Sequence, residues 1–271
     1  MKKKDFTGYT AVVTGGGSGI GKAVVKEFAS YGYHVYSLFR SARNGQITKV
    51  NAGVIEERVC DVTDESSIKE AFDGIDRIDV LIHLAGSGIC GSAEATKDDD
   101  VRFQMDVNFF GTVNVNRIAL PVMRKREKGL VIITSSVGGV YPLPFQGFYS
   151  ASKFALEGYG GALKMETQSF GIDVCIIQPG DASTPFTANR KTTESDSSVY
   201  KAMCDKTLSV IVKDETHGYS AEKVAKTYFK VSLRNHPPCT VAVGFRYKLL
   251  VFLKRLFPMR IAYFVLKKMY L

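Results

Sequence analysis

The run Thr14-Gly15-Gly16-Gly17-Ser18-Gly19-Ile20-Gly21 stands between two segments of different periodicity. Before it, residues 9–13 are apolar and read as a buried strand; after it, Ala23, Val24, Phe28 and Ala29 recur at helical spacing through residues 22–31. A glycine turn between a strand and a helix is a phosphate seat. Glycine permits the tight turn and the close backbone approach, and the free N–H groups at the helix start attract an anionic pyrophosphate. Glycine-rich turns also serve as plain loops, so the rest of the chain has to agree.

Downstream, strand and helix patterns alternate. His34–Phe39 is a second strand ending in a basic loop, residues 40–45, and residues 54–60 form a third that ends at Asp61. Thr63-Asp64-Glu65 supplies a cap and an acidic first turn for a helix through Phe72. Residues 78–84 are a fourth strand, broken by Ala85-Gly86-Ser87-Gly88, and residues 97–124 read as one or two helices that contain Asn108. Strands at 130–134 and 172–177 flank a helix over 149–169, and Pro179-Gly180 stops the second of them. Residues 184–217 are polar and irregular, with a short helix near 199–212, the pattern of a lid or loop with a function. A helix over 220–234, a seventh strand over 240–243 and two apolar, basic helices over 247–257 and 259–270 close the chain. The pattern predicts an α/β protein with a parallel sheet covered on both faces, its ligands bound beyond the carboxyl ends of the strands.

Composition excludes several classes. With 271 residues, 45% apolar and 23% charged, the chain is neither disordered nor fibrous. Cys60, Cys90, Cys175, Cys204 and Cys239 are scattered, odd in number and without metal-ligand spacing, which predicts buried free thiols in a reducing compartment and no metal. The start, Met1-Lys2-Lys3-Lys4-Asp5, is basic but has no apolar stretch after it, so no secretory signal is expected. Residues 129–152 carry no charge, yet Pro142, Pro144, Gly138, Gly139 and Gly147 argue against a membrane span. Of the net charge of +9, residues 246–271 hold seven basic side chains and no acidic one. The body is then almost balanced, which disfavours nucleic acid as a partner.

Tyr149 and Lys153 stand four residues apart and therefore on one helix face. Alone, such a pair is more often a packed ring beside a solvated ammonium. Here Ser135 and Ser136 end the preceding strand, at the sheet edge where chemistry is expected, and a glycine-containing loop leads from them to Tyr149.

Together these pieces resemble the short-chain dehydrogenase/reductase family in its single-domain form. They are Thr14-Gly15-x-x-x-Gly19-x-Gly21, Asp61-Val62, Ala85-Gly86, Asn108, Ser136, Tyr149-x-x-x-Lys153, and Pro179-Gly180 with Thr184, in the family's order across about residues 8–245. The resemblance implies a Rossmann-type doubly wound fold with a mainly parallel seven-stranded sheet, a dinucleotide-binding and catalytic body over 1–245, and a helical extension over 246–271. It implies that Tyr149 gives or takes the proton at the substrate oxygen. Lowering a phenol from its usual pKa to neutrality takes about 3 units, roughly 4 kcal/mol, a field that Lys153 and a positively charged nicotinamide can supply in a dry site. Lys153 would also hold the nicotinamide ribose, Ser136 would orient the carbonyl with Ser135 as a strand-end hydrogen bonder, and Asn108 would bind a water in a proton relay. Gly15, Gly17, Ser18, Gly19, Ile20 and Gly21 would form the pyrophosphate turn; Asp61 and Val62 would meet the adenine; Ala85, Gly86, Pro179, Gly180 and Thr184 would line the rest of the cofactor site.

The choice of cofactor is read at the end of the second strand, where an acidic group accepts from the ribose 2′-hydroxyl or a basic one pairs with a 2′-phosphate. Phe39 holds the acidic position and Arg40 follows, so NADP(H) is expected over NAD(H), with Arg43 as a helper. Ser18 departs from the basic residue of many phosphate-preferring members, and His83-Leu84-Ala85-Gly86 departs from Asn-Asn-Ala-Gly. His83 is given a structural hydrogen-bonding role. Val137, Tyr141, Leu143, Phe145 and Phe186 are expected to line an apolar pocket beside Ser136 and Tyr149, for an alcohol or carbonyl of lipophilic character. The basic, apolar extension resembles the hydroxysteroid and retinoid branch, with steroid-like, retinoid-like or long-chain compounds as substrates. A cytoplasmic homodimer or homotetramer is expected. Residues 246–271 fit either surface binding to an anionic membrane or packing against the body, against a partner subunit, or as a lid over an apolar pocket. The rival from another class is a non-catalytic NADPH-binding sensor or scaffold; a sugar-nucleotide epimerase would want a longer chain.

Overall fold

The alternation of strands and helices closes into one eight-stranded sheet, whose strands lie side by side in the order Thr240–Ala242, Ile172–Gln178, Gly129–Thr134, Val80–His83, Thr10–Thr14, His34–Phe39, Gly53–Val59 and Ile47–Val50. A computed structural model describes residues 5–193 and 198–271; the basic start at Lys2, Lys3 and Lys4 and part of the polar excursion lie outside the described residues. In chain order the strands are β1 (Thr10–Thr14), β2 (His34–Phe39), β3 (Ile47–Val50), β4 (Gly53–Val59), β5 (Val80–His83), β6 (Ile89–Cys90), β7 (Gly129–Thr134), β8 (Ile172–Gln178), β9 (Ala182–Ser183), β10 (Lys191–Thr192), β11 (Tyr219–Ser220) and β12 (Thr240–Ala242). The helices are α1 (Gly19–Ser30), α2 (Glu65–Phe72), α3 (Asp98–Met105), α4 (Gly111–Arg124), α5 (Gly147–Thr167), α6 (Lys201–Thr216), α7 (Ala221–Ser232), α8 (Phe245–Leu253) and α9 (Met259–Tyr270).

Neighbouring strands of the large sheet run parallel except β3, which pairs antiparallel with β4. This corrects the expected seven strands to eight. β3 has three exposed residues and one half-buried, so it carries no buried apolar face for a sequence pattern to reveal. Its turn back into β4 is made by Asn51 at φ 53°, a left-handed conformation that asparagine tolerates.

The two sheet faces are covered by different helices. Val24 and Phe28 of α1 pack with Tyr228 and Phe229 of α7 on one face, while Ile68 of α2, Met123 of α4 and Leu156 and Leu163 of α5 cover the other. Each fully buried side chain such as Phe28 or Leu156 contributes about 1.5–3 kcal/mol by burial. Local signals set the helix ends. The Asp64 side chain accepts from Ser66 N at the start of α2, and Ser220 Oγ accepts from Lys223 N at the start of α7. Between α3 and α4 the helix continues through one widened π turn, Asp106–Phe110, and this turn carries the buried Asn108.

β1 and β5 are the adjacent strands from which the order runs in opposite directions, so the crevice at their carboxyl ends is the topological switch point where ligands sit in such sheets. Cys60, Cys90, Cys175 and Cys204 are buried, with the Cys90 and Cys204 sulfurs 3.8 Å apart, while Cys239 is exposed, contrary to the expectation for all five. Among the described residues no helix is long and apolar enough to cross a membrane.

Candidate active site

A cavity of about 930 Å³ opens at that switch point. Its floor is the glycine turn. α1 begins at Gly19 behind Ser18, whose side chain makes no capping bond to the first N–H groups of the helix, and Gly19, Ile20 and Gly21 border the cavity. The turn is a cradle that only glycine fits. A Cβ on Gly15 would lie 2.6 Å from Ala85 N, and one on Gly21 would lie 2.0 Å from Gly15 O. This floor suits the pyrophosphate of a dinucleotide.

Three of the four predicted catalytic side chains, Ser136, Tyr149 and Lys153, line the cavity, and the fourth, Asn108, stands behind it. Ser136 follows β7, Tyr149 and Lys153 lie in the first two turns of α5, and Asn108 sits in the π turn. Lys153 is buried and its Nζ donates to Thr134 O at 2.9 Å, 5.8 Å from the Tyr149 ring centre. Burial lowers the Lys153 ammonium to about 8, with the Glu157 carboxylate pulling it back up. Burial raises the Tyr149 phenol above its ordinary value; the hydrogen bond with Ser136 and the charge of Arg190 oppose that, and Glu215 adds to it. The free protein therefore holds Tyr149 protonated, the form that donates to a carbonyl oxygen. Ser136 Oγ also accepts from Gly138 N at 3.0 Å, whereas Ser135 Oγ donates to Lys153 O at 3.3 Å.

The Asn108 side chain is spent on the loop after β5. Its Oδ1 accepts from Ser87 N at 2.8 Å, and its Nδ2 donates to Ser87 O at 3.1 Å and to Ser152 Oγ at 3.0 Å. It steadies Gly86 and Ser87 from behind and is not among the residues that line the cavity. Asp61 and Val62 also stand away from the lining. The Asp61 carboxylate accepts from Thr63 N and Thr63 Oγ1, and Val62 is buried against Gly111. Gly17 packs beneath the Phe39 ring, which a Cβ there would meet at 2.5 Å. Arg40, Ala85, Gly86, Pro179, Gly180 and Thr184 all border the cavity.

On the substrate side, Val137, Tyr141, Leu143 and Phe186 line the cavity, and the Phe186 ring centre lies 6.0 Å from that of Tyr149. Tyr141 contributes its ring only, because its hydroxyl donates to Leu250 O at 2.9 Å and ties α8 to the body. Phe145 is turned away toward Tyr200 at a left-handed φ of 55°, so its expected place in the lining is corrected.

Sequence reasoning missed one part of the wall. Arg190, with a side chain only 3% exposed, pairs through Nη2 with Glu215, which also accepts from Thr187 Oγ1 at 2.6 Å. Nε and Nη1 of Arg190 have no partner among the described residues. Twenty-five positions separate Arg190 from Glu215, so no local pattern could announce the pair. The wall is continued by the inner face of α8 and α9, where Leu250, Leu253, Ile261, Val265, Leu266 and Met269 recur at helical spacing.

The model of the short chain dehydrogenase family matches residues 9–195. The chain belongs to that family. It is 40% identical over 239 residues to a 3-ketodihydrosphingosine reductase of Bacteroides thetaiotaomicron, covering 86% of this chain and 87% of the relative. Human 17-beta-hydroxysteroid dehydrogenase type 1 is 36% identical over 187 residues, 65% of this chain and 57% of that one, which supports the hydroxysteroid-like branch. A short-chain dehydrogenase of Streptomyces avermitilis superposes with a TM-score of 0.77 at 26% identity, covering 90% of this chain and 91% of its own. As a short-chain dehydrogenase, this protein is an oxidoreductase acting on an alcohol group or the matching carbonyl.

His83, the departure from the family's pattern at the end of β5, is buried and its Nε2 lies 2.9 Å from Asn116 Oδ1. Asn116 Nδ2 in turn donates to Tyr159 OH at 3.1 Å, so the ring belongs to a structural chain behind the site. Burial lowers the imidazole from 6.5 to about 4. The unfolded chain then binds a proton that the folded one refuses as pH falls from 6.5 toward 4, so stability is lost on acidification. Between pH 7 and pH 5 this group is expected to remove about 2 kcal/mol. Urea melts of wild type and His83→Gln should show that part of the acid slope vanish in the variant; equal slopes would refute the assignment.

Proposed function

We propose that the protein is an NADP(H)-dependent reductase of a long-chain, lipid-like carbonyl compound. The observation that carries this reading is the continuity of one cavity from the glycine turn, past Ser136, Tyr149 and Lys153, to the apolar inner face of α8 and α9. The name of the Bacteroides relative, a ketodihydrosphingosine reductase, supports a long-chain substrate. The extension over 246–271 then completes the substrate wall of the catalytic body over 1–245.

The nicotinamide cofactor supplies the hydride. The glycine turn and α1 hold its pyrophosphate, and Arg40 faces the adenosine end. The Tyr149 hydroxyl and Ser136 Oγ bind the carbonyl oxygen. Tyr149 gives its proton to that oxygen as the C–H bond forms, and the Lys153 ammonium stabilises the phenolate left behind until solvent returns a proton. Asn108, through Ser87, keeps the loop after β5 in place beneath this group. A dimer or tetramer joined through α4 and α5 belongs to the same reading, supported by exposed Phe110 and Met165. A cytoplasmic setting fits the buried free thiols of Cys60 and Cys175.

Turnover of long-chain ketones with both cofactors tests it. NADPH should exceed NADH in kcat/KM by at least about tenfold, the worth of one charge-assisted contact to a 2′-phosphate. Arg40→Ser should abolish that margin without lowering activity with NADH. Preference for NADH in the wild type would defeat the cofactor assignment, and preference for small polar ketones would defeat the substrate class.

A further inference from the structure

The last two helices are apolar on both sides, and only one side is accounted for. Along α8 the residues that line the cavity are Arg246, Tyr247, Leu250, Leu253 and, one position beyond its end, Lys254. The other face shows Phe245, Lys248, Leu249 and Phe252, continued by Arg255 and Leu256 in the turn that follows; none of these touches the cavity. α9 divides in the same way, with Ile261, Ala262, Val265, Leu266 and Met269 inward and Arg260, Tyr263, Phe264, Lys267 and Lys268 outward. Of the 21 exposed large apolar side chains among the described residues, 11 lie in this segment, with Phe245 81% and Phe264 60% exposed. A helix apolar all round is built to be covered on both sides.

The charge on the outer face selects the cover. Lys248, Arg255, Arg260, Lys267 and Lys268 are all exposed and no acidic residue occurs between 246 and 271. A second copy docking the same face about a twofold axis would set these five cations against five more. An anionic bilayer surface takes both the cations and the apolar side chains. The position of the cavity mouth adds a further observation. Phe257, Ile261, Val265 and Met269 line the cavity and are still about half exposed, so the cavity opens beside this outer face. Thr207 Oγ1 donates to Tyr270 O at 3.0 Å and holds the end of α9 on α6 at the same rim.

We infer that the outer face of α8 and α9 docks on an anionic phospholipid surface and sets the cavity mouth against the bilayer, so that a lipid-like substrate passes into the site without crossing water. The docking stands on its own observations; the passage of substrate rests on the proposed long-chain reductase activity.

The full chain, without substrate or cofactor, is floated with vesicles of phosphatidylcholine alone or with about 30% phosphatidylglycerol. At moderate salt the wild type should partition to the anionic vesicles at least about tenfold more than to neutral ones, and lose that preference near about 0.5 M salt. Phe245→Ser/Phe252→Ser/Phe264→Ser and Lys248→Gln/Arg255→Gln/Lys267→Gln/Lys268→Gln should each lose binding by more than about tenfold, since one basic side chain near such a surface counts for roughly fivefold. Neither set lines the cavity, so thermal melts and turnover of a short, water-soluble ketone should match the wild type, while reduction of a long-chain ketone dissolved in anionic vesicles falls with the binding. Equal partition to both vesicle types, full binding by either variant, or a solution dimer that the serine variant dissociates while vesicles stay unbound would overturn the docking. Vesicle binding with no carbonyl reduced would uphold the docking and overturn the catalytic reading instead.

Discussion

Tyr149→Phe is expected to lower kcat for carbonyl reduction by about 10²- to 10⁴-fold, the range for removing a general acid, while NADPH affinity stays within about threefold. The variant deletes one oxygen and keeps the ring that packs at 6.0 Å from Phe186, so the fold of α5 is undisturbed. Burial raises the phenol, and Ser136 and the charge of Arg190 draw it down. The proton is therefore in place when a carbonyl arrives, and neither neighbouring serine replaces it: Ser136 Oγ, which accepts from Gly138 N, can hydrogen-bond the carbonyl oxygen, but an alkyl hydroxyl is too weak an acid to give up its proton there, and Ser135 Oγ donates to the Lys153 carbonyl. Stopped-flow NADPH oxidation and equilibrium binding separate the two quantities. A variant that turns over like the wild type would show that some other group protonates the product. A wild type that binds NADPH tightly and reduces nothing in a broad ketone panel would favour a sensor or scaffold of the same fold.

The same geometry shows which parts of the site were legible in the sequence and which were not. The turn at residues 14–21 and the pair Tyr149 and Lys153 announce themselves because a tight phosphate turn and a one-turn helical spacing are local properties. The strands of the sheet interior are equally plain, since burial on both faces leaves continuous apolar runs such as Ala11-Val12-Val13. β3 is hidden because an edge strand with an exposed face needs no apolar pattern. The work of Asn108 is hidden for another reason. Its partners Ser87 and Ser152 lie 21 and 44 positions away, and the π turn that aims it there has no side-chain signature. The Arg190 and Glu215 pair is non-local too. In α8 and α9 the two faces were both present as periodicities, but which of them meets the cavity is decided by tertiary anchors, Tyr247 OH on Asp181 and Tyr141 OH on Leu250 O.

Gly21→Ala should weaken NADPH binding by at least about 100-fold and cost about 1–3 kcal/mol of stability, the usual range for overpacking. The added Cβ would stand 2.0 Å from Gly15 O and 2.8 Å from Gly15 C, both backbone atoms, so no rotamer change can relieve the contact. The turn has to open. Gly15 cannot retreat on its other side, because it is held at φ 69° with its N–H on Leu38 O at 2.8 Å and its α-carbon against the chain at Leu84 and Ala85. Relief at Gly21 therefore spreads the end of β1 from the end of β5, at the one place where helix N–H groups and backbone must meet a pyrophosphate together. Gly17→Ala is the graded comparison: the atoms nearest its Cβ belong to the Phe39 ring, a side chain that can swing aside, so a smaller loss is expected. Gly147→Ala is the neutral one, with nothing within 4 Å of its Cβ. Binding titrations and thermal melts on the three proteins should rank them in that order. If Gly21→Ala bound NADPH as tightly as Gly147→Ala, the glycine turn would not be the pyrophosphate seat, and the cofactor would have to lie elsewhere in the crevice.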